Sequence, residues 1–594
     1  MMGAFAQLAL ALLAGTALAT PVGTQRPGHH KRWGTCWGSN PQGCPFGDVG
    51  SHGAVVTEVG TCSAIGVEIM KQGGNAADAI IASALCVGVI GGFHSGLGGG
   101  GFMVIRYNKD DGTHGYEQID FRETMPAAGN ETMYTQYGTN QTKSTVGGLA
   151  VGVPGELRAW KLLHDRHGSL PWVKLFEPTI SVARNGYPVN YDLAGFLAGR
   201  DWILDNEHWS KVFAPQGTLL KEGDTVYWHS IANTLERIAH DGPDIFYQNS
   251  DIADNIISAI QSTGGIMTHE DLASYQPIVR EAASISYRGK RIYSTTAPSS
   301  GAIVLSTLKI FEGLQHAEQS HQAIQALVEA NKFGYGQRAT LGDPAFTTNV
   351  SSLEASYLTE TVAGAARALI SGNSTHPGTY YNPSNYAPAS REGGTSHLAA
   401  VDSGGMAISL TTTINLIWGS RVMTADGIIL NNEMDDFSSP GSVNAFGFAA
   451  NPINFIQPGK RPQSSIASSL VEDENGRLVM ATGSAGGSRI ITATLQELYN
   501  HIDLGLNASE CTSHARWHDQ LSGITYFDWP DPDRPIPLAG YSNETVDFFK
   551  DLGYNVSYQS PYSTSTSHVI ARLPSGEWLA ATDPRKPAGR GQAY

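Results

Sequence analysis

Charged residues are scarce in this sequence, and positive charge is scarcer than negative. Only 15% of the 594 residues are Asp, Glu, Lys or Arg, and the formal net charge is −16. Lys and Arg form no cluster that alternates with aromatic residues, so nucleic-acid binding is not indicated. No internal repeat of fixed period is present. Hydrophobic residues make up 41% of the chain, which is ample for one large α/β unit or for several domains.

Cysteine is also rare, and its spacing indicates no metal site. The chain has five cysteines: Cys36, Cys44, Cys62, Cys86 and Cys511. This number is too small for a disulfide scaffold, and none of the five lies in a metal-ligand pattern. A pairing of Cys36 with Cys44 is one option for the N-terminal segment.

The N-terminus has the features of a secretory signal. Residues 4–19 form an uncharged apolar stretch that ends in Ala17-Leu18-Ala19, a small-x-small cleavage pattern. About 20 apolar residues are needed to span a bilayer, so an uncleaved membrane anchor is the less favoured alternative. We predict a signal peptide over residues 1–19. An N-terminal segment over 20–49 follows, in which Lys31-Arg32 is a candidate propeptide end.

Asn-x-Ser/Thr sequons agree with secretion. They begin at Asn130, Asn140, Asn349, Asn373, Asn507, Asn543 and Asn555. Such sequons are glycosylation acceptors only in a secreted chain, so they support the signal rather than replace it. We expect an extracellular protein, with vacuolar or surface-anchored locations as alternatives.

A pair of helices is predicted near the start of the folded region. Apolar residues keep helical spacing from Thr61 to Gly73, and Asn75 caps a second helix that continues to Leu85. In an antiparallel pair, Cys62 at the start of the first helix meets Cys86 at the end of the second. We predict a Cys62–Cys86 disulfide, with two independently buried thiols as the alternative.

One glycine-rich loop, residues 96–101, invites a nucleotide-binding interpretation. It leads into the apolar run Phe102-Met103-Val104-Ile105, which is typical of a strand. Phosphate-binding loops lead into a helix N-terminus instead. The sequence therefore favours a strand that packs closely against other backbone.

Helical patterns fill most of residues 155–280 and 300–370, and strands are predicted around them. Residues 372–394 are rich in Asn, Ser, Pro, Gly and Tyr and predict an exposed, mobile loop. Residues 427–430 predict a short buried strand. Residues 465–482 predict a hairpin around an Asn-Gly turn, and residues 488–499 predict a helix.

The loop ends at Gly393-Gly394-Thr395, where a β-hairpin is predicted to begin. The turn Ser403-Gly404-Gly405 separates two runs suited to strands. A threonine hydroxyl is a poor nucleophile unless a base lies beside it, and the free amine of an N-terminal threonine is such a base. Creating that amine requires cleavage of the Gly394–Thr395 peptide bond. A loop that simply enters a strand is the alternative interpretation of these three residues.

Longer motifs decide between these interpretations. They are Leu97-Gly98-Gly99-Gly100-Gly101-Phe102, Asp120-Phe121-Arg122-Glu123, Thr411-Thr412-Thr413-Ile414-Asn415, Asn431-Asn432-Glu433-Met434-Asp435-Asp436, Pro462-Gln463-Ser464-Ser465 and Gly483-Ser484-Ala485-Gly486-Gly487-Ser488. In this order they closely resemble the γ-glutamyltransferase (glutathione hydrolase) family of N-terminal-nucleophile hydrolases, over about residues 50–594.

The resemblance implies a fold, an architecture and an activity. The fold is a four-layer αββα sandwich of the α/β class. Self-cleavage gives a large subunit over 50–394 and a small subunit over 395–594, which share one domain. The enzyme transfers the γ-glutamyl group of glutathione and related compounds, through an ester on Thr395, to water or to amino acids and dipeptides. No cofactor and no metal are required.

The resemblance also implies a role for each site residue. Thr413 orients Thr395, and the backbone amides of Gly486 and Gly487 form the oxyanion hole. Arg122 binds the α-carboxylate of the donor with two hydrogen bonds, and Ser464 and Ser465 also donate to it. The α-ammonium group is bound by Asn415, Glu433 and Asp436.

Two rival functions and one open question remain. An acylase of the same superfamily that removes glutaryl groups is the nearest rival, and its substrate lacks the α-ammonium that Glu433 and Asp436 would bind. A secreted binding protein without catalytic activity is the second rival.

Residues 437–459 match a loop that covers the donor pocket in several family members. Phe446 is the candidate lid aromatic, and a simple surface loop is the alternative.

Overall fold

Two seven-stranded sheets lie face to face in the computed structural model. The model describes residues 46–137, 142–314, 320–382, 393–441, 443–530, 538–561 and 565–594. The strands, in chain order, are β1 (Gly47–Gly50), β2 (Ala54–Val56), β3 (Gly100–Asn108), β4 (His114–Asp120), β5 (Tyr187–Pro188), β6 (Thr225–Val226), β7 (Ile278–Glu281), β8 (Ala283–Tyr287), β9 (Lys290–Ser294), β10 (Gly393–Val401), β11 (Ala407–Leu416), β12 (Ser469–Glu472), β13 (Leu478–Ala485), β14 (Trp517–His518), β15 (Thr525–Asp528), β16 (Val556–Gln559), β17 (Thr566–Arg572), β18 (Trp578–Thr582) and β19 (Gln592–Ala593).

Helices make up much of the rest of the described chain, and some of them cover the outer face of each sheet. They are α1 (Gly60–Lys71), α2 (Ala76–Ile90), α3 (Thr142–Thr145), α4 (Glu156–His167), α5 (Trp172–Asn185), α6 (Tyr191–Leu197), α7 (Glu207–Phe213), α8 (His229–Asp241), α9 (Asp244–Tyr247), α10 (Asp251–Ser262), α11 (His269–Ser274), α12 (Gly301–Glu312), α13 (His321–Arg338), α14 (Val350–Tyr357), α15 (Glu360–Arg367), α16 (Gly378–Tyr381), α17 (Ile490–Ile502), α18 (Ala508–Ser513) and α19 (Asn543–Asp551).

The strand order places β10 and β11 centrally in one sheet. The first sheet has the order β1-β18-β17-β13-β12-β9-β8, and the second has the order β19-β2-β10-β11-β3-β4-β7. A three-stranded sheet, β14-β15-β16, and a two-stranded sheet, β5-β6, lie outside this pair. The strands of the two large sheets pair antiparallel throughout.

Three apolar layers hold the sandwich together. The inner layer lies between the sheets and includes Val104, Val401, Leu470 and Ile570, all fully buried. A second layer packs the β10–β11 sheet against helices that include α2, and a third packs the other sheet against helices that include α12 and α17. This arrangement confirms the predicted αββα fold.

The predicted helical hairpin is present. Asn75 caps α2 by accepting hydrogen bonds from the backbone amides of Ala77 and Asp78, and the Asp78 carboxylate accepts from the Asn75 amide in return. A disulfide joins Cys62 and Cys86, whose Cα atoms are 5.3 Å apart. The disulfide prediction is therefore confirmed.

The predicted β10–β11 and β12–β13 hairpins and the α17 helix are confirmed, whereas two local predictions are wrong. Residues 427–430 are buried but form only isolated bridges, Met423 with Ile429 and Gly98 with Leu430, rather than a strand. The exposed loop predicted from residue 372 is interrupted by α16. Within it, buried Tyr381 donates a 2.5 Å hydrogen bond to Glu329 Oε2.

Several predictions fall outside the described residues. They concern the signal peptide over 1–19, the candidate propeptide end, Cys36, Cys44, Asn140 and residues 383–392. Of the described sequons, Asn130, Asn349, Asn373, Asn543 and Asn555 are exposed, whereas Asn507 is half-buried and caps α18. Every helix within the described ranges is too short or too polar to cross a bilayer.

Candidate active site

A cavity of about 250 Å³ opens at the start of β10. It is lined by nine of the ten residues predicted to form the site: Arg122, Thr395, Thr413, Asn415, Glu433, Asp436, Ser464, Ser465 and Gly487. The tenth, Gly486, adjoins Gly487 but is not among the described residues that line the cavity. Residues up to 365 positions apart in the sequence, Arg122 and Gly487, therefore meet at one surface.

Thr395 and Thr413 face each other across the β10–β11 pair. Their Oγ1 atoms are 3.3 Å apart, and the Thr413 hydroxyl donates to the carbonyl oxygen of Gly394 at 2.5 Å. The Thr413 Oγ1 also accepts from the backbone amide of Asn415 at 2.8 Å. Because the single hydroxyl hydrogen of Thr413 points to Gly394, the hydroxyl of Thr395 is the donor in the pair of threonines.

The strand pairing is irregular at the Gly394–Thr395 peptide bond. Gly394 lies opposite Asn415 and Thr395 lies opposite Thr413, so Ile414 is an extra residue in β11. The amide of Ile414 donates to the His94 carbonyl instead, and Asn415 has a φ of 73°, in the left-handed region. Bulges of this kind re-aim side chains near functional sites. Here the bulge places the Thr413 hydroxyl against the Gly394 carbonyl.

The two glycines before Thr395 lie where a side chain would not fit. A Cβ atom on Gly394 would come within 2.8 Å of the Leu416 backbone, and one on Gly393 within 2.9 Å of the Gly487 Cα. Glycine is therefore required by close backbone packing at both positions. The contact with Gly487 also brings the uncleaved segment against one of the two glycines predicted to form the oxyanion hole.

Arg122 is fully enclosed between acidic side chains and backbone carbonyls. Its guanidinium forms ion pairs with Glu433 and Asp436 and donates to the carbonyl oxygens of Pro462 and Gln463, each at 3.2 Å. The residue is 1% exposed. The sequence predicted that Arg122 binds the α-carboxylate of a ligand and that the two acids bind its α-ammonium group. In the structure the arginine and the two acids bind each other.

Two acids and two arginines line the cavity: Glu433, Asp436, Arg122 and Arg338. Burial raises the pKa of Glu433, and the nearby acids Glu123 and Asp436 raise it further, whereas Arg122 opposes the shift. Burial likewise raises the pKa of Asp436 against the opposing effect of Arg122. A cation placed beside such carboxyl groups stabilises their charged form. The acidic side of the site is therefore suited to a ligand group that carries a positive charge.

Gly486 and Gly487 connect β13 to α17 through a short 3₁₀ turn, Gly487–Arg489. Both have positive φ values, 124° and 62°. A Cβ atom on Gly487 would lie 2.4 Å from the Phe446 ring. Phe446 lines the cavity and is buried. It therefore packs against the glycine turn.

Ser464 and Ser465 lie on the segment that leads into β12. Ser464 Oγ accepts from the amide of Ile466 at 3.2 Å, and Ser465 Oγ accepts from Arg338 Nη2 at 3.3 Å. Arg338 also lines the cavity, and sequence analysis did not identify it. It is the last residue of α13, where a basic side chain is common because it interacts favourably with the helix dipole. No signal in the sequence distinguishes it from such a residue.

The described part of the chain contains no group of three or more His, Cys, Asp or Glu side chains placed to hold a metal ion. The groups available at the cavity are a hydroxyl nucleophile, backbone amides, two arginines and paired carboxyl groups.

The fold and the site define the structural class: a four-layer sandwich with a threonine near the start of a central strand is that of the N-terminal-nucleophile hydrolases. Comparison with known proteins agrees. Residues 62–593 match the model of the family described as gamma-glutamyltranspeptidase. The chain is 41% identical to a glutathione hydrolase proenzyme of Arthroderma benhamiae over 555 residues, covering 90% of this chain and 92% of the relative.

More distant relatives give the same result. The chain is 36% identical to the glutathione hydrolase proenzyme of Escherichia coli, over 90% of both chains. Its structure is similar to that of a cephalosporin acylase from Bacillus halodurans, with a TM-score of 0.79, 25% identity, and coverage of 92% of this chain and 97% of that one. The chain belongs to the gamma-glutamyltranspeptidase family.

Proposed function

We propose that this protein is a self-cleaving γ-glutamyltransferase and glutathione hydrolase with Thr395 as its nucleophile. One observation carries the proposal: Thr395 and the Arg122–Glu433–Asp436 cluster line the same cavity. A hydroxyl nucleophile thus lies beside groups that can bind both charges of an α-amino acid. The names of the relatives, glutathione hydrolase proenzymes, support the same activity and a precursor form.

The substrate head would be bound through an exchange of ion pairs. A γ-glutamyl group presents an α-carboxylate and an α-ammonium close together. The carboxylate would bind to Arg122, and Ser464 and Ser465 would donate further hydrogen bonds to it. The ammonium would bind to Glu433 and Asp436. Asn415 Oδ1 would be a third acceptor, because its Nδ2 already donates to the Asn432 carbonyl. Substrate binding would break the ion pairs of Arg122 with Glu433 and Asp436. A zwitterion gives the arginine and the acids each a new partner of opposite charge, whereas a ligand with a single charge gives a partner to only one side.

Self-cleavage would use the contacts already present in the uncut chain. The Thr395 hydroxyl attacks the Gly394 carbonyl carbon, and the Thr413 hydroxyl stabilises the charge that develops on the carbonyl oxygen. The carbon–nitrogen bond breaks and the threonine nitrogen takes up the proton that the hydroxyl has released, so that an ester joins Gly394 to Thr395 Oγ1. Water then hydrolyses the ester, leaving a Gly394 carboxylate and a free Thr395 amine.

The mature enzyme would apply the same chemistry to its donor. The Thr395 amine, with an unperturbed pKa of about 7.7–8.0, takes the hydroxyl proton as the oxygen attacks the γ-carbonyl carbon. The amides of Gly486 and Gly487 bind the oxyanion, and the leaving amine, which is cysteinylglycine when glutathione is the donor, takes the proton. Water or the amine of an amino acid or dipeptide then resolves the γ-glutamyl ester.

The rival glutaryl acylase would share this fold, as the similarity to the cephalosporin acylase illustrates. The paired acids favour the γ-glutamyl substrate, because a glutaryl group offers no cation to them. The test compares hydrolysis of γ-glutamyl-p-nitroanilide and glutaryl-p-nitroanilide by the purified, self-cleaved protein. We expect a strong preference for the γ-glutamyl compound. Equal or faster cleavage of the glutaryl compound would favour the acylase, and failure of self-cleavage would favour the non-catalytic binding protein.

We also propose that the protein follows the secretory pathway and is extracellular in its final form, with vacuolar or surface-anchored locations as alternatives. The Cys62–Cys86 disulfide supports this, since disulfides persist in oxidising compartments. N-terminal sequencing of the mature protein tests the proposal and the internal cut together. We expect one sequence that begins after residue 19, or after Arg32 if a propeptide is removed, and a second that begins at Thr395.

A further inference from the structure

Arg338 lies in the cavity wall beside the segment that carries the two serines. Its side chain is 6% exposed, and its Nη2 lies 3.3 Å from Ser465 Oγ. Its backbone carbonyl accepts from Gln463 Nε2 at 2.7 Å. Both ends of Arg338 therefore contact residues 463–465, the stretch whose backbone also receives a hydrogen bond from Arg122.

The chemistry of this contact fixes the direction of the hydrogen bond. A guanidinium group has five donors and no acceptor, so Ser465 Oγ must accept from Arg338. The hydrogen of the serine hydroxyl is then left to point at another acceptor. The Phe448 ring lies 4.1 Å from the Arg338 guanidinium carbon and holds the group in place from one face.

We propose that Arg338 is a positioning residue that sets the specificity for the donor α-carboxylate. By donating to Ser465 Oγ, it directs the Ser465 hydroxyl hydrogen into the cavity, where the carboxylate accepts it. Arg338 thus acts through Ser465 and not on the reacting atoms. The inference rests on the proposed function, because it takes the γ-glutamyl group as the ligand and Ser465 as one of its donors.

The test uses two donors that differ only in the α-carboxylate. γ-Glutamyl-p-nitroanilide has it, and γ-aminobutyryl-p-nitroanilide lacks it but retains the amino group and the scissile amide. For Arg338→Met we expect KM for the γ-glutamyl compound to rise about tenfold with kcat little changed, the size of one lost hydrogen bond to a charged group. For the γ-aminobutyryl compound we expect kcat/KM within twofold of that of the unmodified protein.

A double-mutant cycle gives a second readout that does not depend on the γ-aminobutyryl donor. Ser465→Ala is expected to produce a similar rise in KM, and Arg338→Met combined with Ser465→Ala no further rise, because the two residues act as one unit. Arg338→Lys, which retains a cationic donor, is expected to lie between Arg338→Met and the unmodified protein. If Arg338→Met does not fold, Arg338→Lys is measured in its place.

Arg291 offers a matched control. Its Nη2 donates to Ser284 Oγ at 3.0 Å and its guanidinium lies 5.9 Å from the Tyr293 ring, but it is exposed and away from the cavity. Arg291→Met should change neither KM. The loss of a contact between an arginine, a serine and an aromatic ring is therefore not expected by itself to change KM.

Each other outcome overturns the inference. An equal loss of kcat/KM with both donors would show that Arg338 does not act through the α-carboxylate. It would then act on the ammonium side, through the Asp436 carboxylate that its charge also stabilises, or on the fold in general. Additive effects of Arg338→Met and Ser465→Ala would show that the two residues act separately. Failure of the proposed function is a distinct result, since the unmodified protein would then not cleave γ-glutamyl-p-nitroanilide at all.

Discussion

The hydroxyl of Thr413 donates a 2.5 Å hydrogen bond to the carbonyl oxygen of Gly394. This is the oxygen on which negative charge would develop in the proposed attack of the neighbouring Thr395 on its own chain. The uncut precursor therefore already holds a donor for that charge, independent of the amides of Gly486 and Gly487. The two reactions proposed for Thr395 would thus use different groups to stabilise the oxyanion.

Replacement of Thr413 should slow self-cleavage. Thr413→Val keeps the shape of the side chain but removes the hydroxyl, and loss of one oxyanion donor typically slows a reaction about a hundredfold or more. Thr413→Ser keeps the hydroxyl and is expected to cleave at nearly the normal rate. The rate is measured as conversion of the full chain to two fragments on a denaturing gel. Equal rates for Thr413→Val and the unmodified chain would contradict the role proposed for this hydrogen bond.

Removal of the Thr395 hydroxyl should abolish both reactions. Thr395→Ala is expected to remain a single chain without activity toward γ-glutamyl-p-nitroanilide, because no nucleophile is left to attack Gly394 or the donor. Mass spectrometry of the purified protein checks the outcome. Two fragments of the normal size from this variant would assign the cleavage to another residue or to a protease.

Arg122 should stabilise the folded chain as well as bind substrate. Arg122→Met leaves Glu433 and Asp436 buried without their cation, and breaking a buried pair usually costs about 3–5 kcal/mol. Urea unfolding in the single-chain Thr395→Ala background measures the loss, and an added Glu433→Gln should restore part of it. Arg237 pairs with Asp251 on the surface at 2.7 Å, so Arg237→Met should lower stability by no more than about 1 kcal/mol.

If both arginine variants lose the same small amount of stability, the buried cluster contributes no more than a surface ion pair. In that case the acids are neutral when Arg122 is absent, as their raised pKa values would permit.

Stability should fall as the pH rises through the titration of Glu123. Burial raises the pKa of this carboxyl from 4.5 to about 8, although Arg122 opposes the shift. Neither carboxyl oxygen has a hydrogen-bond partner among the described residues. Between these two pH values the folded state binds one proton more than the unfolded state, so a rising pH weakens the fold.

Glu123→Gln is therefore expected to be more stable than the unmodified chain at pH 8 and to differ little from it near pH 5. Unfolding midpoints at both pH values, again in the Thr395→Ala background, provide the measurement. Glu131→Gln, at an exposed position, serves as the control and should leave the pH dependence unchanged. A Glu123→Gln profile parallel to that of the unmodified chain would place the pKa of Glu123 in its ordinary range.

The disulfide should contribute measurably to stability. It closes a loop between residues 24 positions apart, and a loop of this size corresponds to about 3 kcal/mol in the chain-entropy description. Replacing Cys62 and Cys86 together by alanine should lower the unfolding midpoint, and added reductant should then have no further effect. Peptide mapping under non-reducing conditions that found both thiols free would contradict the disulfide itself.

Local features of the sequence predicted much of the fold. Asn75 as a helix cap, the turn at residues 403–405 and the strand after residue 101 all depend on neighbours in the chain. Residues 427–430 show the limit of such patterns, because an apolar run indicates burial but not strand pairing. Tyr381 shows the same limit. Its hydrogen-bond partner Glu329 is distant in the sequence, so the composition of the segment around Tyr381 predicted an exposed loop and not a buried contact.

The site was predicted residue by residue from motif resemblance, and the structure brings nearly all of those residues to one cavity. The resemblance did not predict how these residues bind one another. The pairing of Arg122 with Glu433 and Asp436 depends on burial and on the distance across the cavity, which no sequence spacing reveals. Arg338 was missed because a basic residue at a helix end has an ordinary explanation.

Both large sheets draw strands from each side of residue 394. In one, β2 pairs with β10 and β3 with β11, and in the other, β9 pairs with β12 and β1 with β18. A cut before Thr395 would therefore leave two polypeptides that cannot part without breaking the ladders of both sheets. Dilution should not inactivate such a protein. Its working lifetime would be governed by the rate of global unfolding, because the two fragments can separate only when the sheets unfold.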